Sequence, residues 1–292
     1  MTSIALIGLG AMGAAMALKW REAGFSLAVY NRTPGRAAAL AGAGVRLGAS
    51  AREAAADADL IISMVVDDNA SRAVWQGPDG AFAGARPGAV AIECSTVSPA
   101  HARALAEQAA GSGLKFLDAP VAGGPSAVAA GKLAMFVGGP ADALDGARPA
   151  LSAIAGRIEH LGDAGAGATW KLVNYMMAGA QIASLAEAMT LAAKAGIDPA
   201  RAGGLLASSV VASPLVVSRL PRMVERRFGE AEAALRLVAK DQRYARDLAK
   251  ALGADLEIVP VVAEMFARAE REGLGDLDLA AVALSVARRS GV

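Results

Sequence analysis

The chain has 292 residues, of which 54% are hydrophobic and 20% charged, enough for one large domain or two ordinary ones and too apolar to stay unfolded. Its formal net charge of +1, with no basic run, speaks against a nucleic-acid surface. The single cysteine, Cys94, excludes an internal disulfide and a cysteine zinc cluster, so no metal site is expected. Taken in chain order, the first apolar stretch, 4–9, is too short for a signal peptide and has no basic leader. The runs Ile4–Ile7, Leu27–Tyr30, Leu60–Val66, Val90–Glu93, Phe116–Asp118 and Met135–Val137 read as buried strands flanked by Gly, Asp or Asn. Helical stretches lie between them and carry start signals. Ser50 with Glu53 forms a capping box, and Ser98-Pro99 places a capping residue before a first-turn proline. This alternation predicts an α/β doubly wound, mostly parallel sheet with helices on both faces. Cys94 falls at a strand end as a small buried residue.

Beyond Leu161 no alternating pattern remains. Asp198-Pro199, Ser213-Pro214 and Gly253 punctuate helical stretches, so residues 163–292 are expected to be all-helical after an α/β domain of residues 1–162. The helix after the glycine run 162–167 spans about 168–195 with few polar positions for water. Two burials fit it, a homodimer and the centre of one helical domain. Its Asn174, Gln181 and Glu187 make it a core helix rather than a membrane span, and a cytoplasmic protein with no membrane partner is expected.

Gly8, Gly10 and Gly13 follow a strand and open a helix, which is the context a dinucleotide loop requires. The first glycine permits the turn, the second admits the pyrophosphate, and the third lets helix and strand pack; Leu9, Ala11 and Met12 fill the loop. The helix start offers free amides and a positive dipole end to phosphate. At the end of the second strand, where NAD sites usually carry an acid, stand Asn31, Arg32 and Thr33. Arg32 can stack on adenine and pair with a 2′-phosphate, with hydrogen bonds from Asn31 and Thr33, so NADP(H) is expected to be preferred, with NAD(H) admissible. Met64, Val65 and Val66, ending the third strand, complete the candidate cofactor contacts.

A reductase must supply a proton along with hydride. His101 and His160 are the only histidines and lie away from any motif, so both read as structural. Lys171 follows the glycine run and begins an apolar helix, where a lysine is costly unless paired or functional. A buried lysine with its pKa drawn toward neutrality is a competent general acid.

These residues resemble the β-hydroxyacid dehydrogenase family, which includes 3-hydroxyisobutyrate dehydrogenase, tartronate semialdehyde reductase and glyoxylate/succinic semialdehyde reductases, and more distantly 6-phosphogluconate dehydrogenase. The resemblance covers nearly the whole chain in order: the loop of residues 8–16, Ser95-Thr96 with Pro99, the stretch from Asp118 to Gly124, Gly131, Gly165 and Gly167 with Lys171, and Lys240-Asp241. It implies a Rossmann domain, a long linking helix and a helical domain, assembled as a homodimer or homotetramer. It also implies that Lys171 is the general acid/base, that Gly123 and Gly124 offer amides to a substrate carboxylate, that Ser95 borders the substrate, that Thr96 meets the nicotinamide, and that Lys240 lies near cofactor and substrate.

Four positions depart from the family pattern. Ala122 stands where serine is usual, Tyr175 where asparagine is usual, and Ala233 where phenylalanine is common; Trp170 beside the lysine is also unusual. Asn174 precedes Tyr175, and either is positioned on the Lys171 side of the helix to join the catalytic group. The expected activity is hydride transfer between NADPH and a small 3-hydroxy acid or semialdehyde. Two alternatives stand beside it: an imine reductase-like enzyme, for which Ala122 and Tyr175 leave room, and a non-catalytic dinucleotide-binding scaffold, against which Lys171 speaks.

Overall fold

In the computed structural model of the protein, residues 2–33, 35–36, 40 and 44–292 are described. The chain folds as two compact units, Met1–Lys171 and Leu172–Val292.

In the first unit, strands β1 (Ser3–Ile7), β2 (Ser26–Tyr30), β3 (Arg46–Leu47), β4 (Leu60–Ser63), β5 (Val90–Glu93) and β6 (Lys115–Asp118) form one sheet in the order β3-β2-β1-β4-β5-β6. Every pairing is parallel, with Ile4 opposite both Leu27 and Leu60. Helices α1 (Ala11–Glu22), α2 (Ala51–Ala55), α3 (Asp68–Trp75), α4 (Ala81–Gly84) and α5 (Pro99–Gly111) fall between the strands. Strand alternation sends Ile4 and Leu6 to one face, against Met16 and Trp20, and Ala5 and Ile7 to the other, against Trp75 and Leu105. Burial on both faces is why these strands read as continuous apolar runs.

The Met135–Val137 run, expected in the main sheet, belongs to a second one. There β7 (Val121–Ala122), β8 (Leu133–Val137) and β9 (Ala155–His160) pair in the order β7-β8-β9, with α6 (Pro125–Ala129) and α7 (Ala141–Ser152) between them. The β7–β8 pair is antiparallel and β8–β9 parallel. An apolar run announces a strand but not its partner, and the two-residue β3 and β7 are too short to show any period. The run expected over Leu60–Val66 ends at Ser63, because the Val65 amide is taken by the Ser95 hydroxyl and Asp67 caps α3 through the Ala70 amide. The N-caps form, Ser50 accepting from Glu53 N–H and Ser98 from His101 N–H, but the Glu53 carboxylate of the expected capping box returns to Ala49 N–H rather than to Ser50 N–H.

Helix α8 (Ala166–Lys194) starts in the first unit and continues into the second. The second unit holds α9 (Pro199–Ala207), α10 (Pro214–Val224), α11 (Leu235–Ala251), α12 (Ile258–Ala269) and α13 (Val282–Ser290), with Asp198 and Ser213 capping α9 and α10. Its core gathers Ile182, Ala186, Leu235, Phe266 and Val282. Among the described residues no helix is long and apolar enough to cross a membrane.

Candidate active site

The glycine loop has the shape that a dinucleotide needs. Gly8 has φ +99°, and a Cβ there would run into the Met64 carbonyl. A Cβ on Gly13 would overlap the Gly8 carbonyl, so α1 sits directly against the turn. At Gly10 a Cβ would meet nothing, which leaves open space beside a helix end that no side chain caps. Uncapped amides at a helix start facing open space fit a pyrophosphate.

Asn31 follows β2 and serves the loop itself. Its Oδ1 accepts from Leu9 N–H at 2.9 Å, and its Nδ2 donates to the Thr33 carbonyl at 2.9 Å. Arg32 and Thr33 beside it are exposed to solvent. Asn31 therefore braces the glycine loop from the end of β2.

At the next two strand ends, Met64 and Val65 are half-buried and Val66 is exposed, while Thr96 is half-buried. Ser95 is only 1% exposed. Its hydroxyl, which the sequence assigns to substrate, accepts from Val65 N–H at 2.7 Å. Behind it is a carboxylate that pattern reading passed over. Glu93 is fully buried; its Oε1 accepts from Ser95 N–H at 2.8 Å, and its Oε2 accepts from the Trp75 indole at 2.9 Å and from the Ser71 hydroxyl. His101 Nε2 lies 3.0 Å from Ser71 Oγ, and burial above all lowers its pKa. The sequence sets His101 apart from any motif, whereas through Ser71 it is linked to Glu93, whose carboxylate holds the Ser95 amide. Cys94 is buried and desolvation pushes its thiol well up, which suits an inert residue. His160 Nε2 lies 2.7 Å from the Gly139 carbonyl.

The stretch from Asp118 to Gly124 and the start of α8 form the remaining part of the first unit's site. Gly123 is exposed with φ +121°, and Gly124 and Ala122 are half-buried. Lys171 is 2% exposed, and its Nζ donates to the Val121 carbonyl at 2.6 Å. Asp118 is fully buried, its Oδ1 accepting from Gly165 N–H and its Oδ2 from Ala168 N–H, each at 2.7 Å. Burial raises its pKa to about 6, opposed by those amides and by Arg103. Trp170 is half-exposed and meets Phe136 edge to face, centroids 6.4 Å apart.

In the second unit, Asn174 is exposed and Tyr175 half-buried, with the Tyr175 carbonyl accepting from Gln242 Nε2 at 2.7 Å. Lys240 is buried, paired with Asp241 at 2.8 Å and set 4.7 Å over the Tyr244 ring. Gln242 fills the space beside Gly179, where a Cβ would collide with its carboxamide.

Within the first unit, a dinucleotide loop, the ends of β4 and β5, a glycine-rich turn and a buried lysine ammonium form a constellation that can hold a nicotinamide cofactor and donate a proton. Comparison with known proteins supports a chain that binds a nicotinamide cofactor. Residues 3–162 match the NAD binding domain of 6-phosphogluconate dehydrogenase, and residues 165–286 match the NAD-binding domain of NADP-dependent 3-hydroxyisobutyrate dehydrogenase. The chain is 35% identical to L-threonate dehydrogenase of Cupriavidus necator over 96% of its own length and 94% of that protein's. It is 40% identical to 3-hydroxyisobutyrate dehydrogenase of Pseudomonas aeruginosa over 68% of its length and 67% of that protein's. The structure of Mycobacterium tuberculosis 3-hydroxyisobutyrate dehydrogenase with L-serine superposes with a TM-score of 0.88 at 33% identity, covering 98% of this chain and 99% of that one. In sequence and in fold, the chain belongs to the β-hydroxyacid dehydrogenases, NAD(P)-dependent oxidoreductases of hydroxyacids.

Proposed function

We propose that the protein transfers hydride between NADP(H) and a small 3-hydroxy acid or its semialdehyde, with Lys171 as the general acid/base. The observation that carries this is a buried ammonium, 2% exposed, held on the Val121 carbonyl one residue from the Ala122-Gly123-Gly124 turn. The nicotinamide supplies or accepts the hydride. The chain does the rest. The Gly123 and Gly124 amides offer donors to the substrate carboxylate, and Thr96 with Met64, Val65 and Val66 borders the nicotinamide end. In reduction, Lys171 gives its proton to the carbonyl oxygen, and its charge stabilises the developing alkoxide; in oxidation, the neutral amine takes the hydroxyl proton. Residues 1–162 hold the cofactor, and 163–292 are the helical substrate and dimerisation domain. Asn174 and Tyr175 follow Lys171 by one helical turn, and Ser95 acts at the border of the first unit's site.

The test is NADPH oxidation against a panel of semialdehydes, 2- and 3-oxo acids and cyclic imines. Semialdehydes or oxo acids should be the best substrates. With the best of them, Lys171→Ala should lose at least about 10²-fold in turnover, the lower end of what general acid catalysis contributes. Lys171→Arg should not rescue it, because a guanidinium holds its proton too tightly near neutral pH. Near-normal turnover in Lys171→Ala would overturn the assignment, and turnover confined to imines would overturn the substrate class.

A further inference from the structure

The buried carboxylate of Asp118 lies at the end of β6, and no step above uses it. We infer that Asp118 is a positioning residue that fixes where Lys171 stands by gripping the first turn of α8. The inference rests on the role proposed for Lys171. Its geometry is a closed ring. The Asp118 backbone is locked to Gly138 in both directions, N–H to carbonyl at 3.0 Å and carbonyl from N–H at 2.8 Å. Its two carboxylate oxygens take the Gly165 and Ala168 amides, at the entry and third residue of the helix. Lys171 lies three residues on, about 4.5 Å along the axis at 1.5 Å per residue. Its Nζ returns to the Val121 carbonyl, three residues after Asp118. One short segment therefore holds the same helical turn at both ends. Gly167 closes the gap, since a Cβ there would collide with the Phe136 and Asp118 carbonyls.

Stability alone does not account for a carboxylate here. Several groups lie around it: the amides of the helix start from α8, the Gly138 backbone beyond β8, Arg103 from α5, and Glu93 at its register position on β5. Burial still outweighs them and raises its pKa to about 6. With the folded pKa above the unfolded value of about 3.9, protonation favours the fold. This contribution is fully present below the unfolded pKa and is lost as pH rises through about 6. Near neutral pH the ionised carboxylate therefore works against stability while it holds two amides in place. A neutral cap such as serine or asparagine would avoid that cost.

The experiment is a double-mutant cycle. In Asp118→Asn one oxygen becomes an NH2 that faces an amide donor, and the grip loosens. A misplacement of about 1 Å is enough to cost up to 10²-fold. Asp118→Asn should therefore lower kcat at least about tenfold with NADPH affinity unchanged, and should add no more than about twofold to the loss already caused by Lys171→Ala. Losses that multiply, or a fully active Asp118→Asn, would overturn the inference. The melting temperature of wild type minus that of Asp118→Asn should fall as pH rises from 4 to 7, while wild-type kcat rises across the same range; parallel trends would also overturn it. If Asp118→Asn does not fold, the wild-type kcat should still decline as pH drops through about 6, with that limb missing from the residual Lys171→Ala rate; its presence in both would count against the inference. Near-normal turnover of Lys171→Ala would instead sink the proposed role of Lys171, so the two failures are distinguishable.

Discussion

Arg32 stands exposed just after β2, where a ribose-binding acid would otherwise hold the adenosine end of the cofactor. Asn31 has its carboxamide oxygen committed to the Leu9 amide, so a 2′-phosphate would find its cation in Arg32. A hydrogen bond to a charged group contributes about 1.5–3 kcal/mol, so Arg32→Ala should weaken NADPH binding by roughly ten- to a hundredfold while NADH binding changes little. Fluorescence titration with both cofactors measures this, and equal losses would remove Arg32 from the phosphate. At this scale the sequence was readable wherever a residue's type announces its chemistry. Lys171 in an apolar helix and three glycines after a strand are conspicuous alone. Glu93 and Asp118 are not. Each reads as a polar residue ending a strand, and its meaning depends on donors 22 and 50 residues away, Ser71 and Ala168. Asn31 is a milder case, legible as a polar handle for the cofactor but not as the brace of the glycine loop.

Between elements, α1 sits directly against the turn after β1. Gly13 has no room for a methyl because the Gly8 carbonyl occupies the place. Gly13→Ala should push the helix start outward, which overpacking puts at about 1–3 kcal/mol of stability, and it should also displace the phosphate-facing amides. Thermal unfolding and NADPH titration should both register the change; a variant with wild-type melting and wild-type affinity would mean the turn has slack. Element starts were the easiest features to read, since Ser50, Ser98, Asp198 and Ser213 all cap as their side chains suggest. Strand partners were the hardest. β7 and β8 pair antiparallel in a small sheet of their own, and nothing in an apolar tripeptide such as Met135–Val137 distinguishes that from another parallel strand in the main sheet.

For the whole molecule, α8 and the second unit leave large apolar side chains in water, among them Val173, Met177, Leu191, Leu205, Val210 and Val211. Ile182, Leu185 and Ala186 of α8 are buried within the chain, so one chain covers only part of the helix. Exposed apolar surface of this kind marks association, and a dimer or larger assembly is expected at micromolar concentration. Light scattering should give at least twice the chain mass; a clean monomer would mean these side chains are tolerated in water. The border between the two units carries a consequence for how such a chain can be rebuilt. It falls between Lys171 and Leu172, inside an unbroken helix. Cutting the chain at that border would leave residues 166–171 as about a turn and a half of isolated helix, far below the length at which a helix persists in water. The lysine would then sit on a fraying stub. A cut meant to separate the two units therefore has to move off the helix.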